Sequence, residues 1–263
     1  MSTMILDIET IPLGMFSHRL AHGQAWEGTV PEWAFEAVGP QPMPERGRVP
    51  RNWRDPAKIA AREAEIERDY QDALGRMESE HRARAWEYVR AGSLRPDRGR
   101  VLCACWRIDR QVGMTMADYE GQMLTEIADA ITGHGVSRIV SWGDFDSTFL
   151  FGRSIRLGHI ALAGMIAEPH YSSTAKLKLY TRPTTVIDAM TLWPLQGGKR
   201  GPRLADACAA LGIGHGKGNP IDGSQVLDAY MDGREREVLD HCLADVRDLE
   251  QVWDALRGVW GIT

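Results

Sequence analysis

Met4-Ile5-Leu6-Asp7-Ile8-Glu9-Thr10 is an apolar run that ends in Asp-x-Glu close to the N-terminus. Side chains alternate along a strand, so Asp7 and Glu9 project from one face while Leu6 and Ile8 project from the other and anchor it in a core. Two carboxylates on one face raise each other's pKa unless positive charge sits between them, and hard oxygen ligands suit Mg2+ or Mn2+. Taken alone, an Asp-x-Glu reads as a strand running into a solvated acidic turn. Its partners elsewhere in the chain decide between the two.

The 263 residues suffice for one large domain, or for one domain carrying an insertion. Cys103, Cys105, Cys208 and Cys242 show neither a C-x-x-C pair nor a matched His spacing, which excludes a recognisable zinc site or disulfide framework. Buried free thiols in a reducing cytosol are expected. The N-terminus lacks a charged leader followed by a long apolar stretch, and no apolar segment approaches membrane-spanning length, so the expected protein is soluble and cytoplasmic.

The net charge of -5 argues against coating duplex nucleic acid through bulk positive charge. Its distribution is uneven. Residues 151 to 203 carry eight bases against two acids, whereas residues 222 to 254 carry ten acids against three bases. One sector is suited to phosphates and the other to cations.

Strands are expected at residues 3 to 9, Val101 to Ile108, Val112 to Met116, Ser137 to Trp142, and through Val186-Ile187. Met123, Leu124, Ile127, Ala128 and Ile131 form a 3.6-period stripe over Tyr119 to Thr132, closed by Gly133. Further helices are expected at Arg203 to Leu211, Ser224 to Tyr230 and Arg234 to Leu256. The pattern predicts an α/β layered domain with a central sheet. Residues 10 to 100, between the first two strands, are too long for a loop and are expected to be an insertion within a single domain of residues 1 to 263. Asp55-Pro56 is a good helix start, and the charged stretch to about Ala91 carries a narrow stripe of Ile59, Ile66, Tyr70, Leu74, Met77, Trp86 and Val89. A helix or helical hairpin packed on the domain edge is the expectation, since eleven bases nearly cancel ten acids over residues 51 to 98.

Two further segments carry carboxylates. Ile139 to Leu150 reads as a strand, a tight turn and a helix start with Asp146 at or near the N-cap. In Leu239-Asp240-His241-Cys242-Leu243-Ala244-Asp245-Val246 the four-residue spacing sets His241 and Asp245 on one helix face, a turn apart. Singly these are a capping residue and a surface pair. Together with Asp7 and Glu9 they form an ordered set that few soluble domains show by accident.

This set resembles the DEDD superfamily of 3'-to-5' exonucleases, and most nearly the stand-alone exonucleases similar to proofreading domains of family B DNA polymerases. Asp7 and Glu9 match the first motif, Asp146 in Phe145-Asp146-x-x-Phe149-Leu150 the second, and Asp245 in His241-Cys242-x-x-Asp245-Val246 the third. Softer support comes from Gly99-Arg100-Val101, Leu211-Gly212-Ile213, Gly216-Lys217-Gly218 and Ile221-Asp222-Gly223-Ser224. The family offers either Tyr-x-x-x-Asp or a His five residues before the last Asp, whereas this chain has His241 in the tyrosine spacing. Its second motif commonly carries an Asn shortly before the Asp, and Ser141-Trp142-Gly143-Asp144 has none.

The resemblance implies a ribonuclease H-like fold, with a central mixed sheet flanked by helices and a long, largely helical insertion after the first strand. It implies hydrolysis at the 3' end of single-stranded DNA, with RNA as the nearest alternative, by two Mg2+ or Mn2+ ions about 4 Å apart. Asp7 would bridge the ions, Glu9 and Asp245 would complete the nucleophile side, Asp146 would assist the other, and His241 would be the general base. Lys176, Lys178, Lys199 and Arg200, interleaved with Tyr171, Tyr180 and Trp193, are the expected track for the strand. From another class, the odd third motif suits a catalytically weak nucleic-acid-binding or partner-docking subunit.

Overall fold

The computed structural model describes residues 2–22, 29–166, 185–193, 202–214 and 221–262. The chain divides into two compact units, one of Met1–Trp26 with Gly92–Thr263 and the other of Glu27–Ala91.

The first unit is built on a five-stranded mixed sheet: β1 (Ser2–Pro12), β2 (Gly99–Ile108), β3 (Gln111–Met116), β4 (Val136–Ser141) and β5 (Thr185–Asp188), in the spatial order β3-β2-β1-β4-β5. β1 pairs antiparallel with β2 and parallel with β4, so it is a central strand. Its Met4, Leu6 and Ile8 join Ala104, Trp106 and Ile108 of β2 on one face. There they pack against α4 (Glu120–Gly133), α5 (Phe145–Arg156) and α6 (Ile160–Ile166) through Met123, Leu124, Ile127, Phe149, Leu150, Leu162 and Ile166. The predicted α4 stripe is thus core. The opposite face of β1 carries Ile5, Asp7 and Glu9 and is crossed by α9 (Glu235–Trp260): the Cys242 thiol donates to the Asp7 carbonyl at 3.5 Å, and the Cys105 thiol to the Leu239 carbonyl at 3.8 Å.

The remaining helices of this unit are α1 (Leu13–His22), directly after β1, then α7 (Leu204–Leu211) and α8 (Val226–Met231). All four cysteines are buried free thiols, as expected. Among the described residues no helix is long and apolar enough to cross a membrane.

A register shift between Glu9 and Thr10 marks the site end of β1: Glu9 pairs with Cys103 but Thr10 with Val101, which leaves Leu102 as the extra residue on β2. Such a bulge re-aims side chains locally. After it, Val101 returns to the α4 face of the sheet. Two devices lock this corner. Arg153 of α5 donates through Nε and Nη2 to both Glu120 oxygens, at 2.9 and 2.5 Å, and Glu120 also accepts from the Val101 amide at 2.8 Å. Gly99 enters β2 where a Cβ would stand 2.7 Å from the Gly92 carbonyl and 2.9 Å from the Phe149 ring.

The second unit explains the apolar stripe after the first strand. Its α2 (Glu32–Val38) is followed by an extended stretch and then by α3 (Pro56–Gly92), a single helix of 37 residues rather than a hairpin. Asp55 starts it by accepting from the Ala57 and Lys58 amides, and no proline after Pro56 breaks it. Pro40, Pro42 and Pro44 hold the preceding stretch extended. It runs antiparallel along the helix, with the Gly39 carbonyl 3.0 Å from His81 Nε2, Arg46 stacked near Tyr70 and paired with Glu67, and Gly47 against Ile66. The expected insertion of residues 10 to 100 is therefore shorter as a unit: β1 continues to Pro12, α1 packs on β1, and Thr10 donates to the Ser93 carbonyl within the first unit.

Gly99→Ala should destabilise the protein by about 1 to 3 kcal/mol, because backbone and a buried ring meet the added methyl and neither is free to move. Denaturant unfolding checks this, and an unchanged midpoint would contradict the close packing at Gly99.

Candidate metal centre

Pairing with β2 sets Asp7 beside Cys105 and Glu9 beside Cys103, so carboxylates and thiols share the face that α9 crosses. Val238, Cys242, Val246 and Leu249 of α9 are buried, which fixes the rotation of the helix and turns His241 and Asp245 toward β1. His241 is buried, and its Nε2 lies 3.2 Å from Glu9 Oε1 and 4.0 Å from Asp245 Oδ2. One ligand atom from each of Glu9, His241 and Asp245 fits within a mutual separation of 4.8 Å. Sequence spacing anticipated the His241–Asp245 pair. It did not anticipate that Glu9 is the nearer partner.

Asp146 arrives from the other side. β4 ends at Ser141 and α5 begins at Phe145, so Asp146 lies in the first turn of the helix and not at its N-cap; Asp144 holds that position and makes no side-chain cap. The capping explanation of Asp146 is thereby removed. The connecting turn is fixed by Ser141 Oγ, which donates to the Gly143 carbonyl at 2.9 Å, and by the Gly143 amide, which donates to Asp188 Oδ1 at 2.8 Å.

The electrostatics identify these groups as one cluster. Burial, then the charges of Asp146, Glu9 and Asp245, push the Asp7 carboxyl well above the ordinary carboxylate range, with a Cys242 hydrogen bond pulling the other way. Burial followed by Asp245 and Asp146 does the same to Glu9. Burial, Asp245 and Asp188 push Asp146 up to about 8. The Glu9 and Asp245 ligand oxygens lie within 4.8 Å of each other. Ionised carboxylates this close repel, and that repulsion adds to the rise at Glu9.

The group fits a divalent cation on two grounds. Among the described residues, Asp7 Oδ2 is buried with no hydrogen-bond partner, an acceptor of the kind that otherwise finds a donor. The carboxylates of Asp7, Glu9, Asp146 and Asp245 are hard oxygen donors of the kind that suits Mg2+ or Mn2+.

The structure thus brings together all five residues expected from sequence, Asp7, Glu9, Asp146, His241 and Asp245. Lys176, Lys178, Lys199 and Arg200, with Tyr171 and Tyr180, lie outside the described residues. Trp193 is buried, edge-on to Trp142. Asp188 was missed. Its signal was present, for Thr185-Val186-Ile187-Asp188 repeats the pattern of β1, a short apolar strand that ends in an acid.

An acid with a higher pKa in the folded than in the unfolded state binds its proton more tightly when folded. Stability of the cation-free protein should therefore be greatest near the unfolded carboxylate value of about 4 and fall as pH rises through the folded Asp146 value of about 8. Asp146→Asn should flatten that fall and raise the cation-free melting temperature above neutrality. Thermal unfolding in EDTA across the range checks this; a wild-type slope no steeper than that of Asp146→Asn would contradict it.

No protein-family model matches the sequence, and comparison with curated proteins returns no match.

Proposed function

We propose that this chain is a metal-dependent 3'-to-5' exonuclease of ribonuclease H-like fold that hydrolyses single-stranded DNA. The observation that carries this reading is the convergence of Asp7 and Glu9 from β1, Asp146 from α5 and Asp245 with His241 from α9 in one cluster. The mixed sheet, with the Asp-x-Glu of its central strand beneath a C-terminal helix, supports the fold assignment.

Asp7, Glu9, Asp146 and Asp245 would hold two Mg2+ or Mn2+ ions. Bound divalent ions supply Lewis acidity, which lowers the pKa of water and offsets charge on the leaving 3' oxygen. His241 accepts the proton of the attacking water. Glu9 and Asp245 flank its ring with negative charge, which holds its orientation and favours the imidazolium that results. The Glu9 and Asp245 side chains retain 14 and 23 % exposure. Lys176, Lys178, Lys199 and Arg200 are proposed from sequence as phosphate contacts.

The test is incubation with 5'-labelled single-stranded DNA and RNA in Mg2+, Mn2+ or EDTA. DNA should shorten from its 3' end only with a divalent ion, and Asp7→Ala, Glu9→Ala, Asp146→Ala and Asp245→Ala should each abolish shortening. His241→Ala should lose about two to four orders of magnitude in rate, and His241→Tyr should recover part of it. Intact DNA under every condition would overturn the proposal. Degradation of RNA with DNA spared would move it to an exoribonuclease.

A further inference from the structure

We propose that Asp188 is a positioning residue for Asp146, acting through the turn that joins β4 to α5. The inference rests on the reading of Asp146 as a cation ligand.

β4 and β5 run parallel and end side by side, with Ser141 opposite Asp188. Asp188 Oδ1 accepts from the Met190 amide at 2.8 Å, which caps the short turn of 3-10 helix Ala189–Leu192 that follows β5. That cap alone would account for an Asp here. The same oxygen, however, also accepts from the Gly143 amide at 2.8 Å, a bond that capping does not require.

Gly143 has a φ of 88°, a conformation that side chains disfavour, and its carbonyl is held by Ser141 Oγ. With both its amide and its carbonyl bonded, the turn keeps one shape. α5 begins two residues later; Asp144 before it makes no side-chain cap, and Ser147 Oγ donates to the Asp144 carbonyl at 3.1 Å. Asp188 adds the bond to the Gly143 amide, from the neighbouring strand. Asp146 follows in the first helical turn, where an error in the start becomes an error in its carboxylate. The Asp188 charge also contributes to raising the Asp146 carboxyl.

Asp188→Asn keeps the Oδ1 acceptor, and Asp188→Ala removes it. In the full chain, three quantities would be followed: Gly143 amide exchange by NMR, Mn2+ binding by calorimetry, and kcat and KM on single-stranded DNA at saturating Mn2+. Asp188→Ala should speed Gly143 exchange by about tenfold or more, the worth of a hydrogen bond to a charged acceptor. It should also weaken Mn2+ binding and lower kcat with KM little changed, and Asp188→Asn should recover most of each loss. Unchanged Gly143 exchange in Asp188→Ala would overturn the proposal, as would loss of Mn2+ binding in Asp188→Asn with Gly143 still protected, because charge and not position would then be the link. If Asp188→Ala does not fold, Asp188→Asn decides by that second criterion. Failure of the wild type to hydrolyse DNA would overturn the exonuclease reading, while Gly143 exchange and Mn2+ binding would still report on Asp188.

Discussion

A central strand covered by helices on both faces is ordinarily apolar on both, and β1 is not. Leu6 and Ile8 meet that expectation toward α4 and α5, but Asp7 and Glu9 face α9. The helix is held against them by Cys242, Val246 and Leu249, all buried, and by thiol-to-carbonyl bonds that satisfy backbone acceptors without adding charge. Thiols suit this place because they pack as small hydrophobes and donate weakly. The result is a cleft in which carboxylates are pressed together by packing that does not depend on them.

Other buried charges in the first unit are treated differently, and the contrast locates the site. Arg153 and Glu120 form a full two-bond pair. Arg100, also buried, stacks 3.4 Å over the Phe16 ring and donates to the carbonyls of Val101, Ala117 and Asp118. Breaking such arrangements leaves an uncompensated charge, at a cost of about 3 to 5 kcal/mol. In the Asp7 cluster the neighbours of each carboxylate are chiefly other carboxylates. The contrast is between charges held by opposite charge or carbonyls and buried carboxylates that raise one another's pKa.

Much of this was legible in the sequence because it is written in local periodicities. The two-residue alternation of β1, the 3.6-residue stripe of α4, the Asp55-Pro56 start of α3 and the four-residue spacing of His241 and Asp245 each survive folding unchanged. What was not legible is set by register between distant segments. The extra residue Leu102, the 3.2 Å approach of His241 to Glu9 and the bond from Gly143 to Asp188 depend on which strand lies beside which and how far it has slid. The narrow stripe of α3 was visible, but the proline-rich segment lying along it was not, since an extended chain without a sheet has no period to read.

The acidic surplus of residues 222 to 254 also changes meaning once folded. Several of its acids are spent locally: Arg234 pairs with Asp232 and Glu237, Arg236 with Asp240, Arg107 with Glu250, and Arg257 with Asp254. Exposed pairs of this kind contribute little to stability, but they neutralise the outer surface of α9. Asp245, on the inward side, lies instead beside Glu9 and His241. A cluster of carboxylates, on the proposed reading, attracts divalent cations and repels a phosphodiester. On the proposed reading, cations must therefore enter before the nucleic acid, since only their charge converts the cleft from one that rejects phosphate into one that holds it.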